Sequence, residues 1–478
     1  MSEVAKKKSS QSEIADRGIH PYGRAEDWVI PCDKEVLQKT EWFRDQKLGL
    51  FLHFGLYTQI GGLVSWMLSD EDKEWSYRDF TWDDPKKCQQ QYKNLNRSFN
   101  PIRLQPDEWA QIAQDAGVKY LIMTTKHHDG FCLFDTQQTE YKVTDEQCPF
   151  SLHPYADVIK HVFEAFRRKQ MGIMAYFSKA DWASPYYWNP ETMQGETSRH
   201  ANYDTDKKPE LWNKFVEYTH AQMMELVDGY GPFDGFWLDA GWVNAREGED
   251  IRLEKIASEA RKKIPGLLFV DRTVGGALEN YLTPECTVPP VPMDVPWESC
   301  ITLERDEGGW GYTYAQNYKS AREILHLLIE IVAKGGNLAL GVGPQPDGRL
   351  PQKAVGILMQ LGQWLRLNGE SIYNTRICAP HIKDAWAFTK NETHLFAIRL
   401  IKESEEACTI KWLIPLKAQE EILQEKKVQS ITLLHNQKPV SFEQCNDGIY
   451  LQMKEYQFLV GGLAACAFKI ELLQEKEI

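Results

Sequence analysis

The sequence predicts a (β/α)8-like TIM barrel with irregular later units, followed by a C-terminal antiparallel β-sandwich. The 478 residues exceed what one hydrophobic core usually holds. From about residue 40 to residue 372, short apolar runs alternate with amphipathic helices, and no glycine-rich phosphate fingerprint follows any run, which disfavours a dinucleotide-binding sheet. From about residue 380, apolar and polar residues alternate between polar turns, which predicts a sandwich with one solvent-facing side.

The apolar runs are predicted to be the parallel strands of the barrel, because strands buried on both faces read as apolar along their length. The runs lie at residues 48–54, 120–125, 173–177, 236–238, 267–270, around 297, and at 337–343. The helical pattern occupies residues 106–117, 157–169, 211–227, 251–264, 320–334 and 352–367. Gly117 marks the end of the first of these helices, and Ser320 with Glu323 predicts a capping box.

These changes of pattern divide the chain into three predicted parts. Residues 1–20 are polar and basic without periodicity, and we expect a disordered or loosely attached tail. Residues 21–376 are predicted to form the barrel. Residues 377–478 are predicted to form the sandwich, which we expect to pack against the barrel and stabilise it.

Charge and composition exclude several classes of protein. Lys and Arg total 55 against 68 Asp and Glu, and a net charge of −13 disfavours nucleic acid and anionic membranes as partners. No apolar stretch approaches the ~18 residues of a spanning helix, and no signal-peptide pattern follows the N-terminus. We therefore expect a soluble protein, cytoplasmic as given, or periplasmic or secreted if a signal peptide has been removed. The ten cysteines include no C-x-x-C pair, so no zinc site is predicted.

Acidic residues at predicted strand ends suggest a catalytic site, because barrels of this type hold their active sites at the C-terminal strand ends. Asp239 directly follows the fourth run. Glu298 lies beside Trp297 in apolar surroundings that would raise the pKa of its carboxyl group and suit a proton donor. Each acid has a structural alternative, a helix cap or a loop salt bridge for Asp239 and a buried ion pair with an arginine for Glu298. Together they match the two carboxylates of a glycoside hydrolase, roughly 5 to 5.5 Å apart in a retaining enzyme.

The histidines after the second run do not form a recognisable metal motif. If the strand continues through His127 and His128, their side chains point to opposite faces and cannot both bind one ion. Hydrogen bonds to sugar hydroxyls are the favoured role for both and for His53, with buried core histidines as the structural alternative. No metal and no other cofactor is predicted.

Five segments closely resemble the signature segments of glycoside hydrolase family 29, the retaining α-L-fucosidases. They run in order from about residue 40 to residue 376: LGLFLHFGLYT, YLIMTTKHHDGFCLF, GFWLDAGW, PWESCITL with GWGY, and GGNLALGVGPQPDG followed by NGESIYNTR. The resemblance implies a catalytic barrel with a C-terminal β-sandwich. It also implies hydrolysis of terminal α-L-fucosyl residues of oligosaccharides or glycoconjugates by double displacement.

The same resemblance implies roles for individual residues. Asp239 matches the nucleophile of the family, and Glu298 matches its general acid/base. The implied substrate-binding residues are His53, Trp66, His127, His128, Tyr176, Trp237, Arg272 and Trp310.

Two features depart from the family pattern. Many relatives carry a glutamate before Trp66, whereas this chain has Ser65, so all acid/base work is expected of Glu298. The stretch between Glu298 and Trp310 is also longer than usual, and we expect it to be a solvated loop. Its additional acids are Glu304, Asp306 and Glu307.

Three alternatives to this function stay open at this point: another exo-glycosidase such as an α-galactosidase, a metal-dependent hydrolase that uses the histidine pair, and a non-catalytic sugar-binding relative. A fucosylated glycan is the expected partner, without nucleic acid or membrane, and a homo-oligomer is left open. The sequence does not specify the fucosyl linkage or the aglycone.

Overall fold

The computed structural model describes residues 25, 28–76, 85–193, 195–306, 309–402, 411–417, 423, 427–452 and 464–473. The tail predicted at residues 1–20 lies outside this part of the chain, and so does Glu307. Along the sequence, a parallel sheet with its helices comes first, and two antiparallel sheets follow.

Seven parallel strands form one sheet in the order β5-β4-β3-β2-β1-β7-β6. Their residues are buried except for the last residue of β4, as their apolar sequences predict. The strands are β1 (Leu48–Leu52), β2 (Tyr120–Lys126), β3 (Gly172–Ser178), β4 (Gly235–Asp239), β5 (Leu268–Asp271), β6 (Glu298–Thr302) and β7 (Asn337–Val342). The predicted barrel-like architecture is confirmed.

An irregular segment, residues 279–286, lies between β5 and β6, which do not pair with each other. On one side the amide of Asn280 donates to the carbonyl of Phe269 in β5 (2.9 Å). On the other side the carbonyl of Leu282 accepts from the amide of Glu298 in β6 (2.8 Å). The bridges to β6 are parallel, so later residues of this segment lie nearer the C-terminal strand ends. The irregular later units of the prediction are present here.

Helices connect the strands, and their apolar faces join the core of the sheet. They are α1 (Lys34–Gln46), α2 (Lys73–Ser76), α3 (Pro85–Lys93), α4 (Pro106–Asp115), α5 (Val158–Arg168), α6 (Pro209–Gly229), α7 (Leu253–Lys263), α8 (Ala321–Ala333) and α9 (Gln352–Asn368). The predicted capping box between Ser320 and Glu323 begins α8. No helix in the described part of the chain is long and apolar enough to cross a membrane.

The C-terminal strands form a six-stranded sheet, ordered β13-β12-β16-β10-β9-β8, and a three-stranded sheet, ordered β11-β15-β14. Neighbouring strands are antiparallel, which confirms the predicted sandwich. The strands are β8 (Arg376–Lys383), β9 (Trp386–Lys390), β10 (Leu395–Leu400), β11 (Lys411–Ile414), β12 (Val428–Leu433), β13 (Lys438–Pro439), β14 (Ser441–Cys445), β15 (Gly448–Gln452) and β16 (Ala465–Leu472). The exact domain boundaries stay predictions.

The larger sandwich sheet packs on the barrel, so the expectation of one solvent-facing side is wrong for its central strands. Ala387 and Phe396, on β9 and β10, belong to the same hydrophobic core as the barrel helices. Hydrogen bonds cross the same contact: the indole Nε1 of Trp364 in α9 donates to the carbonyl of Ala465 (2.8 Å). Because helices cover one face and the smaller sheet covers the other, these strands are buried on both faces.

Glu298 lies at the opposite end of the barrel from the one predicted for it. It is the first residue of β6 and pairs with Asn337, the first residue of β7. Its side chain is fully buried, and its oxygens accept from the Tyr120 hydroxyl (2.5 Å) and from the Trp237 indole Nε1 (3.1 Å). The prediction that Glu298 projects toward the C-terminal mouth is wrong, because the apolar residues that form the strand follow Glu298 rather than precede it.

Burial nevertheless gives Glu298 the electrostatic property that its apolar neighbours predicted. Desolvation raises the pKa of its carboxyl group from 4.5 to about 7, although the hydrogen bonds from Tyr120 and Trp237 and the charge of Arg272 act in the opposite direction. Between these two values the folded protein keeps a proton that the unfolded chain releases. The free energy of unfolding therefore falls as the pH rises through this range.

The variant Glu298→Gln should remove this pH-dependent loss of stability. Its amide oxygen can accept from Trp237, and its amide N–H can donate to the oxygen of the Tyr120 hydroxyl, which donates to the carboxyl group in the wild type. From pH 4.5 to above pH 7, the variant should gain stability relative to the wild type by about 3 kcal/mol, the value for a shift of this size. Urea unfolding of both proteins across this pH range measures the difference. A constant difference between the two proteins would contradict the assignment of a buried, proton-carrying carboxyl group.

Candidate active site

Asp239 is the last residue of β4 and lies at the C-terminal strand ends, with its side chain 16% exposed. Its Oδ2 accepts from the Tyr176 hydroxyl (2.6 Å), and its Oδ1 accepts from Nη1 of Arg272 (3.0 Å). Burial alone would raise the pKa of Asp239, but the charge of the Arg272 guanidinium and the hydrogen bond from the Tyr176 hydroxyl hold this pKa well below its usual range. Asp239 is therefore an ionised carboxylate at an accessible position.

Arg272 also contacts a second carboxylate, that of Glu285. Nη2 of Arg272 lies 2.5 Å from Oε2 of Glu285, and the indole Nε1 of Trp310 donates to Oε1 (3.0 Å). The Glu285 side chain is 23% exposed. Because one guanidinium contacts both Asp239 and Glu285, these two facing carboxylates lie close together at the C-terminal end of the barrel.

Sequence reasoning missed Glu285, which lies in the irregular segment between β5 and β6. The proline-rich stretch TPECTVPPVPMDVP before Trp297 has no periodicity, and its composition indicates only a long loop. The available signal was weak: Glu285 is one of two acids in that stretch, with Asp294, shortly before a predicted strand. Its position at the site depends on the parallel bridge between Glu285 and Cys300 of β6, which a periodicity argument does not reveal.

The indole ring of Trp237 separates Glu298 from this pair. The Arg272 guanidinium lies over the ring, 4.9 Å from its centroid, whereas the indole Nε1 donates to Glu298. The Tyr176 ring stacks on the same indole, with centroids 5.4 Å apart. The expectation that Asp239 and Glu298 flank one glycosidic bond is therefore not met, because a fully buried carboxyl group behind an indole cannot reach a substrate.

The two adjacent histidines lie side by side rather than on opposite faces. β2 ends at Lys126, so the chain is free to bend, and the ring centroids of His127 and His128 are 4.1 Å apart. Serine hydroxyls fix both rings: Ser65 contacts Nδ1 of His127 (2.5 Å), and Ser178 contacts Nδ1 of His128 (2.7 Å). The condition for side chains on opposite faces, a strand that continues through both residues, is therefore not met.

These histidines, together with His53 at the end of β1, are neutral. Burial lowers the pKa of His127 to about 4 and holds the pKa of His53 and His128 well below the usual value. In the described part of the chain, Nδ1 of His53 and Nε2 of His128 are buried and have no hydrogen-bond partner. A neutral imidazole offers one donor and one acceptor, which matches the hydroxyl groups of a sugar.

Aromatic rings enclose these polar groups. The Trp66 ring lies 4.9 Å from the His128 ring, and the Trp310 ring lies 5.1 Å from the His53 ring, measured between centroids. Direct contacts between neighbouring side chains thus link all eight predicted substrate-binding residues to one another and to Asp239. They are His53, Trp66, His127, His128, Tyr176, Trp237, Arg272 and Trp310.

Glu304, one of the acids between Glu298 and Trp310, does not compete as an exposed proton donor. It is 2% exposed, and its Oε2 accepts from the Thr313 hydroxyl (2.7 Å). The expectation of a solvated position is wrong for Glu304, because the stretch folds back and an isolated bridge pairs Glu304 with Tyr318.

His127, His128 and Asp239 also offer ligand atoms that lie within 4.8 Å of one another. However, both oxygens of Asp239 already accept hydrogen bonds, and one of these bonds comes from a guanidinium. A metal ion bound there would stand beside the positive charge of Arg272. The arrangement suits an uncharged polyhydroxyl ligand better than a cation.

Comparison with known proteins agrees with this geometry. The family model of alpha-L-fucosidase matches residues 29–370. The human plasma alpha-L-fucosidase is 27% identical over 355 residues, covering 71% of this chain and 70% of that protein. The alpha-L-fucosidase of Dictyostelium discoideum is 25% identical over 346 residues, covering 70% of this chain and 71% of that protein.

Solved structures show the same likeness in three dimensions. Alpha-L-fucosidase isoenzyme 1 from Paenibacillus thiaminolyticus has a TM-score of 0.72 and 26% identity, covering 92% of this chain and all of that one. The Thermotoga maritima alpha-fucosidase shares the fold, with a TM-score of 0.69 and 23% identity. The family model covers most of the chain, including every strand of the barrel and both facing carboxylates. The chain therefore belongs to the alpha-L-fucosidase family of glycoside hydrolases.

Proposed function

We propose that this protein is a retaining exo-α-L-fucosidase in which Asp239 is the nucleophile and Glu285, rather than Glu298, is the general acid/base. The observation that carries the proposal is the shared contact of Asp239 and Glu285 with the Arg272 guanidinium at the accessible strand ends. A retaining glycosidase needs two carboxyl groups that flank one bond closely enough for direct attack by one of them. Asp239 and Glu285 meet this requirement better than Asp239 and Glu298.

In the first step, an oxygen of ionised Asp239 attacks the anomeric carbon of the α-L-fucosyl unit. The bond from that carbon to the aglycone oxygen breaks, and protonated Glu285 transfers its proton to the leaving oxygen. The products are a fucosyl ester on Asp239, the free aglycone and ionised Glu285.

In the second step, ionised Glu285 takes a proton from water as the water oxygen attacks the anomeric carbon. The ester bond breaks, Asp239 regains its negative charge, and L-fucose leaves with its original anomeric configuration. The proposed substrate is a fucosylated glycan whose terminal hydroxyls bind the neutral histidines. The surrounding aromatic rings offer an apolar surface to the C5 methyl group.

A structural neighbour supports the covalent route. A GH29 alpha-L-fucosidase from Bacteroides thetaiotaomicron was trapped as a covalent intermediate with 2-fluoro-fucosyl fluoride, and it shares this fold with a TM-score of 0.71 and 19% identity. The same reagent is a suitable probe for Asp239 here. In the wild type, proton NMR of the first product formed should show α-L-fucose, whereas β-L-fucose would contradict double displacement.

The variant Asp239→Gly should lose roughly 10⁴-fold or more in kcat, because the covalent route needs the attacking carboxylate. Azide should restore turnover of a nitrophenyl α-L-fucoside by occupying the vacated space and attacking the anomeric carbon directly. Its product should be the inverted β-L-fucosyl azide, identified by NMR. Near-normal activity of the variant without azide would remove Asp239 from this role.

The variants Glu285→Gln and Glu298→Gln should separate the two candidate proton donors. Glu285→Gln should lower kcat/KM by about 10²- to 10⁴-fold on an unactivated fucoside, the usual contribution of general acid catalysis, and by much less on a dinitrophenyl fucoside. Glu298→Gln should stay within a few-fold of the wild type on both substrates, since it keeps its hydrogen bond to Trp237. The reverse pattern would return the role to Glu298.

Removal of divalent metals should leave activity unchanged, which tests the metal-dependent alternative raised by the histidine pair. We expect the same kcat/KM before and after dialysis against EDTA, because Asp239 and the neutral histidines act without a metal. Loss of activity that zinc restores would favour a metal-dependent hydrolase.

A parallel panel of nitrophenyl glycosides distinguishes a fucosidase from another exo-glycosidase and from a non-catalytic relative.

A further inference from the structure

Arg272 is the one Lys or Arg side chain that forms an ion pair with either facing carboxylate in the described part of the chain. Its two terminal nitrogens are divided between them, with Nη1 at 3.0 Å from Asp239 and Nη2 at 2.5 Å from Glu285. Its side chain is 10% exposed, and its guanidinium lies over the Trp237 ring. The guanidinium is therefore held between two acids that change charge at different stages of the reaction.

Near neutral pH the histidines, Tyr176 and Cys300 around this pair are uncharged, whereas Glu298, with a pKa of about 7, is partly ionised. Burial lowers the pKa of the surrounding histidines, and it raises the pKa of Tyr176, Cys300 and Glu298. The histidines are His53, His127 and His128. In contrast, the neighbouring carboxylates raise the pKa of Arg272 although burial opposes them. Arg272 therefore supplies the permanent positive charge of the site.

We propose that Arg272 couples the ionisation of the two carboxylates, so that esterification of Asp239 strengthens the hold of the guanidinium on ionised Glu285. This inference rests on the double displacement proposed above. While Asp239 is ionised, the positive charge of Arg272 acts on both carboxyl groups, and Glu285 can carry the proton needed for the first step. Once Asp239 becomes a neutral ester, the positive charge acts on Glu285 alone and favours the base form needed for the second step.

The variant Arg272→Met should therefore impair the second step more than the first. With a dinitrophenyl α-L-fucoside, rapid mixing should show a burst of one dinitrophenolate per active site. The steady rate that follows should be about 10²-fold or more below that of the wild type, the scale of lost general-base catalysis. Azide needs no base, so it should raise this steady rate and yield α-L-fucosyl azide. A higher pH should also raise it.

A residue that only binds the sugar would give a different result. It would raise KM or slow both steps, without a burst, without acceleration by azide, and with the pH dependence of the wild type. That outcome would overturn the coupling role. Arg272→Lys, which keeps the charge but has a single nitrogen in place of the fork, should show a smaller burst and a smaller azide effect. Arg305→Met, which removes a half-exposed arginine paired with Glu323, is the control and should behave as the wild type.

A measurement on the wild type keeps the inference testable if the Arg272 variants do not fold. Reactivation of the 2-fluoro-fucosyl enzyme by water should stay fast down to a pH clearly below the midpoint of the basic limb of kcat/KM in the free enzyme. Equal midpoints would overturn the coupling. Formation of β-L-fucose as first product would instead overturn double displacement itself, so the two failures are distinguishable.

Discussion

Strand direction is the constraint on which the rest of this site depends. In a parallel sheet all C-terminal ends meet at one rim, and the opposite rim carries only strand beginnings. Asp239 ends β4 and Glu298 begins β6, so two acids in similar aromatic surroundings lie at opposite rims. One is an accessible ionised carboxylate and the other a sealed carboxyl group with a raised pKa. A carboxyl group whose pKa suits proton transfer cannot act in catalysis unless it can reach the reacting bond.

The strands, the helices and most of the site were predictable from sequence, because burial patterns and helix caps are local properties. The strand ends with histidines and Asp239 followed from these patterns and from the family resemblance. Glu285 did not, since residues 279–286 have no periodicity and reach the site only through bonds to β5 and β6. The prediction for Glu298 was wrong for a related reason. An apolar run shows that a strand exists, but the residue at which the strand begins decides at which rim of the sheet the acid lies.

The electrostatics of the site divide its work between uncharged and charged groups. The histidines are neutral because burial penalises their charged form, so they can hold hydroxyl groups over a wide pH range without competing for the charge of Asp239. Permanent positive charge comes from Arg272, which meets both carboxylates at once. This division also explains why a cluster with metal-compatible spacing suits a sugar: the carboxylate that a cation would need is already bonded to a guanidinium.

Trp237 contacts both the buried Glu298 and the groups around Asp239. The indole Nε1 donates to Glu298, whereas the indole ring lies under the Arg272 guanidinium and stacks on the Tyr176 ring. Tyr176 in turn donates to Asp239. An indole N–H buried without an acceptor would cost free energy, and an acceptor in a fixed position also sets the orientation of the ring. Glu298 thus accepts the hydrogen bond of the buried indole whose ring contacts both groups that hold Asp239.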